Sequence, residues 1–198
     1  MRNTYNTREE WLLALTALLR PVFAGHGHAI PANLRVATSF PSRKALNGVK
    51  NQAIGQCWSP ACSKDGHHEV MVSPVLGDPM QVAGVLAHEL VHAAVGVECG
   101  HSGPFRKLAL AIGLEGKMTA TTAGEAFKRT VQPMLEAIGP YPHAALDARA
   151  RSSGPKKQGT RLVKLACGTC QYTVRTTRKW LDDVGAPHCP LHGEMDEA

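Results

Sequence analysis

The sequence predicts an α+β domain followed by a small metal-stabilised module. Three observations lead there. Short strand-like runs are grouped ahead of helix-like segments, which places one small sheet against helices instead of alternating the two. A strongly apolar helical stretch after Asp78 carries the run Ala87-His88-Glu89-Leu90-Val91-His92. Beyond a basic, apolar-poor interval, Cys167-Gly168-Thr169-Cys170 and Cys189-Pro190-Leu191-His192 form two knuckles with metal-ligand spacing.

Taking the chain in order, Thr7-Arg8-Glu9-Glu10 reads as a capping box opening an amphipathic helix, with Trp11, Leu12, Leu15, Leu18 and Leu19 on its apolar face and Pro21 as its expected end. That helix is too short and too charged at its start for a membrane span, and no small-residue cleavage site follows it. Packing is expected, not targeting. Residues 34–40, 53–58 and 69–72 read as strands, broken by Pro41, Asn47-Gly48 and Lys64-Asp65-Gly66. Asp78-Pro79-Met80-Gln81 is a helix start, Val82, Val85, Leu86, Leu90 and Val91 give apolar cover, and Gly96 is placed to end the helix. Phe105, Leu108 and Ile112 are spaced as one face of a second helix, residues 113–118 as a turn, and 124–138 as a helix disturbed at Pro133.

On a helix, His88 and His92 stand one turn apart on the same face, so their ring nitrogens can converge on one metal, and Glu89 lies about 100° around from His88. A metal hydrolase needs this arrangement: two imidazoles hold the ion and a carboxylate takes a proton from water. The competing reading is a chance match, or buried histidines satisfied by hydrogen bonds. His101, just before the second helix, is placed to act as a third ligand, with Glu98, Glu115 and Glu125 as alternatives. Cys57, Cys62, His67 and His68 match no standard zinc spacing, and Cys99 reads as a buried small residue near His101. His26 and His28, in a Gly-rich loop, read as solvated.

The run from His88 to Phe105, with Gly100-His101-Ser102-Gly103-Pro104-Phe105 after a short turn, resembles the SprT-like zinc metallopeptidases, the group that includes the Spartan proteases acting on DNA-bound proteins. Ile54-Gly55-Gln56-Cys57-Trp58 and Glu69-Val70-Met71-Val72-Ser73-Pro74 add to the resemblance. It implies a zincin-like domain, a catalytic zinc on His88, His92 and His101, Glu89 as general base, and a protein or peptide substrate.

In the C-terminal stretch, Cys167, Cys170, Cys189 and His192 read as a zinc ribbon holding a structural zinc, with His188 as the alternative fourth ligand. Disulfides are the competing reading, which no export signal supports. The chain's net charge is +6, yet nine Lys/Arg and no Asp/Glu lie between Arg149 and Lys179. The basic character is local. Lys156, Lys157, Arg161, Lys164, Arg175, Arg178 and Lys179, with Tyr172 and Trp180 for stacking, suit phosphate-backbone binding, against the plainer reading of a solvated linker and a charged ribbon face. The expected organisation is a metallopeptidase domain over 1–140, a basic linker over 141–160 and a zinc ribbon over 161–198. It belongs to a cytoplasmic, DNA-associated zinc metallopeptidase without membrane contact; the alternative is a non-catalytic, zinc-stabilised DNA-binding or regulatory protein.

Overall fold

The computed structural model describes residues 5–42, 53–148 and 162–198. The fold is α+β, and the chain forms two compact units, Met1–Arg149 and Ala150–Ala198. In the first unit, helix α1 (Arg8–Gly25) starts at the Thr7/Glu10 capping box. Strands β1 (Leu34–Thr38), β2 (Gly55–Trp58) and β3 (His68–Val72) form one sheet in the order β1-β3-β2, with β1 parallel and β2 antiparallel to β3. Val36 and Cys57 both register with Val70, so one sheet face presents three buried apolar side chains to the helices.

Helix α2 (Pro79–Val95) starts where the Asp78 carboxylate accepts the Gln81 N–H at 2.7 Å, and ends at Gly96 with φ 94°. Val82, Ala83, Leu86, Leu90 and Val91 are fully buried, which makes α2 the central element of the core. Helix α3 (Gly103–Ala111) follows the tight return, and strands β4 (Leu114–Lys117) and β5 (Ala120–Ala123) form an antiparallel hairpin ahead of helix α4 (Glu125–Ile138). Phe127 and Val131 of α4 close the core from the far side.

Three sequence expectations are corrected. Helix α1 runs through Pro21 to Gly25. Pro21 and Ala17, whose carbonyl loses its helical donor, both face solvent, while Phe23 is fully buried and anchors the last turn. The same logic lets α4 continue through the exposed Pro133. Residues 113–118 are not a simple turn: Gly113 and Gly116 take positive φ, and Leu114 is buried as the first residue of a strand. Residues 141–148 are not linker either. Tyr141 packs edge-on against Trp11 at 4.9 Å, and the buried Arg8 guanidinium donates to the carbonyls of Pro142, Pro74 and Ala144. Leu146 N–H also reaches the Pro74 carbonyl at 2.9 Å.

The second unit contains β6 (Leu162–Ala166), β7 (Thr173–Thr177), helix α5 (Arg178–Val184), β8 (His188–Cys189), β9 (Gly193–Glu194) and β10 (Asp196–Glu197). Its larger sheet has the order β10-β6-β7. Among the described residues, its buried core is Leu165, Cys167, Cys189 and Met195. Among the described residues, no helix is long and apolar enough to cross a membrane.

The carbonyls gathered by Arg8 come from two separate stretches, Pro74 and the Pro142–Ala144 segment, so its loss removes a donor from both at once. Arg8→Met should cost about 1–3 kcal/mol of stability by urea denaturation, with faster hydrogen exchange at the Leu146 amide. Unchanged stability and exchange would show that residues 141–148 are held without it.

Candidate metal centre

Helix α2 carries His88 and His92 on one face, and the return through Gly96 and Gly100, both at positive φ, brings His101 back over them. The His101 Nε2 atom lies 3.2 Å from His88 Nε2 and 3.3 Å from His92 Nε2. All three rings rest on the fully buried Phe105, with centroid distances of 4.8, 4.4 and 4.9 Å. Phe105 follows His101 by four residues, in the first turn of α3, so the imidazole and the ring beneath it come from one short segment. The three nitrogens face one another at distances that could hold a metal ion.

The alternative third ligands stay out of this group. Glu125 pairs with Lys128 at 2.7 Å, the Glu98 carboxylate lies against Gly96, and Glu115 lies against Gly124. Cys99 donates to the Val95 carbonyl at 3.2 Å. Cys57, Cys62, His67 and His68 form no metal-holding group among the described residues; His67 turns to Asp65, and Cys62 is exposed.

A cleft of about 670 Å³ opens above the histidines, with α2 as its floor, β2 on one side and the segment Thr119–Ala123 on the other. Glu89 sits in the floor, 7% exposed. A Cβ on Gly55 would collide with the Glu89 carboxylate and come within 2.8 Å of Val85, so β2 can lie this close only because Gly55 has no side chain. Gly55 stands in the run that carries the family resemblance, but nothing local in the sequence marks it as touching Glu89.

Burial pushes the Glu89 carboxyl up to about 8. Burial first, then the charges of His92 and His101, pulls His88 down to about 3; burial and His101 pull His92 down to about 4. On the far ring atoms, His88 Nδ1 lies 2.8 Å from Thr121 Oγ1, whereas His92 Nδ1 is buried with no hydrogen-bond partner among the described residues. Sequence reasoning missed Thr121. The available signal was the β-favouring run Thr119-Ala120-Thr121-Thr122, which marks a strand but not its target.

In the second unit, Cys167, Cys170, Cys189 and His192 form the other group able to hold a metal ion. Cys170 and Cys189 Sγ are 3.7 Å apart, and His192 Nδ1 is 3.6 Å from the sulfurs of both Cys167 and Cys189. The backbone N–H of Cys170 holds the Cys167 thiol below its usual range, favouring the thiolate that binds metals. His188 is outside this group, paired along β8 with Glu194.

The residues expected to meet nucleic acid are spread differently. Lys156, Lys157 and Arg161 lie outside the described residues. Lys164 and Arg175 are register partners on the exposed face of β6 and β7. Arg178 is tied to Glu197, with one contact at 3.0 Å, and Lys179 lies over the Trp180 ring at 5.3 Å. Tyr172 and Trp180 are about half exposed.

In comparisons with known proteins, no family model, curated protein or solved structure matched this chain.

The raised Glu89 value predicts the pH response of the metal-free chain. The folded state keeps a proton that the unfolded state releases above 4.5, so this group removes stability as pH rises from 4.5 to about 8. The lowered histidines act oppositely, adding stability above 6.5 that is lost as pH falls towards 4 and 3. In chelator-treated protein, Glu89→Gln should gain on wild type by up to about 1.4 kcal/mol per pH unit between those carboxyl values. Urea denaturation across that range checks this; a pH-independent difference would show that Glu89 is not dry.

Proposed function

We propose that this chain is a zinc-dependent metallopeptidase with a zincin-like, SprT-like catalytic domain, acting on proteins associated with DNA. The observation that carries the reading is the meeting of three histidine nitrogens beside the buried Glu89 in one cleft. Two nitrogens on a tetrahedral zinc at about 2.0–2.1 Å would stand about 3.3 Å apart, which agrees with the 3.2 and 3.3 Å separations. Zinc–sulfur bonds of about 2.3 Å would likewise put two sulfurs about 3.8 Å apart, close to the 3.7 Å between Cys170 and Cys189. Both sets of side chains therefore suit zinc, one as a three-ligand site with room for reactants and one as a closed four-ligand site.

When held by His88, His92 and His101, zinc supplies Lewis acidity to a carbonyl oxygen and to an attacking water. The chain's own residues supply the rest. Glu89 takes a proton from the attacking water and returns it to the departing amine nitrogen. Among the described residues β2 is an edge strand lining the cleft, so an extended substrate could align along its free backbone groups. Glu89→Gln should retain the metal while cleavage of an unfolded protein falls about 100-fold or more. Equal cleavage by both forms, in preparations free of other proteases, would defeat the enzyme reading. A chain ending at Ala148 should keep about one zinc where the full chain holds about two.

The delivery role belongs to the second unit. Lys164 and Arg175 side by side on an exposed face, with Tyr172 and Trp180 accessible, support phosphate contacts and base stacking. Replacing both Lys164 and Arg175 by Ala should flatten the salt dependence of DNA binding by about two phosphate contacts. Arg178→Ala should matter less, because Glu197 already neutralises it. DNA affinity of the double variant equal to wild type at low and high salt would remove this face from the interaction.

A further inference from the structure

We propose that Thr121 is a positioning residue that holds the His88 ring in the tautomer and orientation the metal cluster needs; this rests on the reading of His88, His92 and His101 as metal ligands. A neutral imidazole carries one proton, and a ring nitrogen can bind a metal only with its lone pair. His88 Nε2 faces the cluster, 3.2 Å from His101 Nε2, so the proton belongs on Nδ1. That proton needs an acceptor, and Thr121 Oγ1 stands 2.8 Å away. With Nδ1–H donating to the hydroxyl, the ring is locked with its lone pair inward. The opposite tautomer would aim a proton from Nε2 into the space the metal would occupy.

The placement of Thr121 follows from a two-point match between β5 and α2. Thr121 and Ala123 alternate inward along β5 while Ala120 and Thr122 are exposed. Ala123 lies against Gly84, where an added Cβ would be only 3.7 Å from the Ala123 Cβ. Gly84 and His88 are one helical turn apart, and Ala123 and Thr121 are one strand repeat apart, so seating the first pair sets the second. Across the hairpin, Thr121 registers with Gly116. His92 lacks any such partner on Nδ1 among the described residues. Of the α2 pair, His88 is therefore the ring that a hydroxyl on its far nitrogen holds in place.

The test uses the full chain, with Thr121→Val removing the hydroxyl at nearly constant shape and Thr121→Ser restoring it. Zinc affinity is measured by competition with a chromophoric chelator, and the His88 tautomer by NMR of its ring nitrogens in the metal-free protein. Thr121→Val should weaken the histidine site about 10–100-fold while leaving the cysteine site unchanged. Thr121→Ser should return most of that affinity, and only the Val variant should show a mixture of His88 tautomers. Unaltered affinity in Thr121→Val overturns the proposal, and so does equal weakening by Val and Ser, which would assign Thr121 to packing alone. A wild-type chain that takes up zinc only at the cysteine cluster, with His88→Ala making no difference, would instead sink the metal reading beneath it. That result is separable from the other two.

Discussion

Two imidazoles on one helix leave a metal ion short of protein ligands unless a further group reaches it from outside that helix, and the first unit brings His101 to the α2 pair. Helix α2 is buried along Val82, Leu86, Leu90 and Val91, which fixes its rotation. Its polar side chains then have one direction left, into the cleft. The return through Gly96 and Gly100 sets His101 above the pair, and Phe105 lies under all three rings. A flexible arm could deliver a histidine too, but it would have to be ordered at each binding event. A turn pinned by Pro104 and a buried aromatic has already met that cost in folding.

Both walls of the cleft approach α2 at a glycine. Gly55 lets β2 lie against Glu89, and Gly84 receives β5 at Ala123. Close walls keep water away from Glu89 and His88, so their protonation leaves the ordinary range in opposite directions. The second unit is built on another principle. Among the described residues its buried core is Leu165, Cys167, Cys189 and Met195, little apolar surface to sustain a fold, and two of those four residues belong to the group able to hold a metal ion.

Much of the fold was legible because its cues are local. Caps at Thr7 and Asp78, the apolar period of α2 and the Phe105, Leu108 and Ile112 face each depend on neighbours within a few residues. Where local cues misled, a distant contact had overruled them. Pro21 reads as a stop, but burial of Phe23 carries the helix past it. Residues 141–148 read as linker because they open a stretch rich in Ala, Ser, Gly, Lys and Arg with little to bury, while their attachment depends on Arg8, more than a hundred positions away. Residues 113–118 read as a turn because two glycines outweigh a four-residue strand.

By itself the sequence determined that His88 and His92 share a helical face, that Glu89 lies beside them, and that two Cys/His knuckles stand near the C-terminus, since 3.6-residue periodicity and short spacings need no tertiary information. Only the tertiary structure decided that His101, and not Glu98, Glu115 or Glu125, joins the pair; that His192, and not His188, joins the cysteines; and that Thr121 meets His88. Those choices depend on how strand, turn and helix pack against α2. Packing is set by the whole buried surface, and no short stretch of sequence records its outcome.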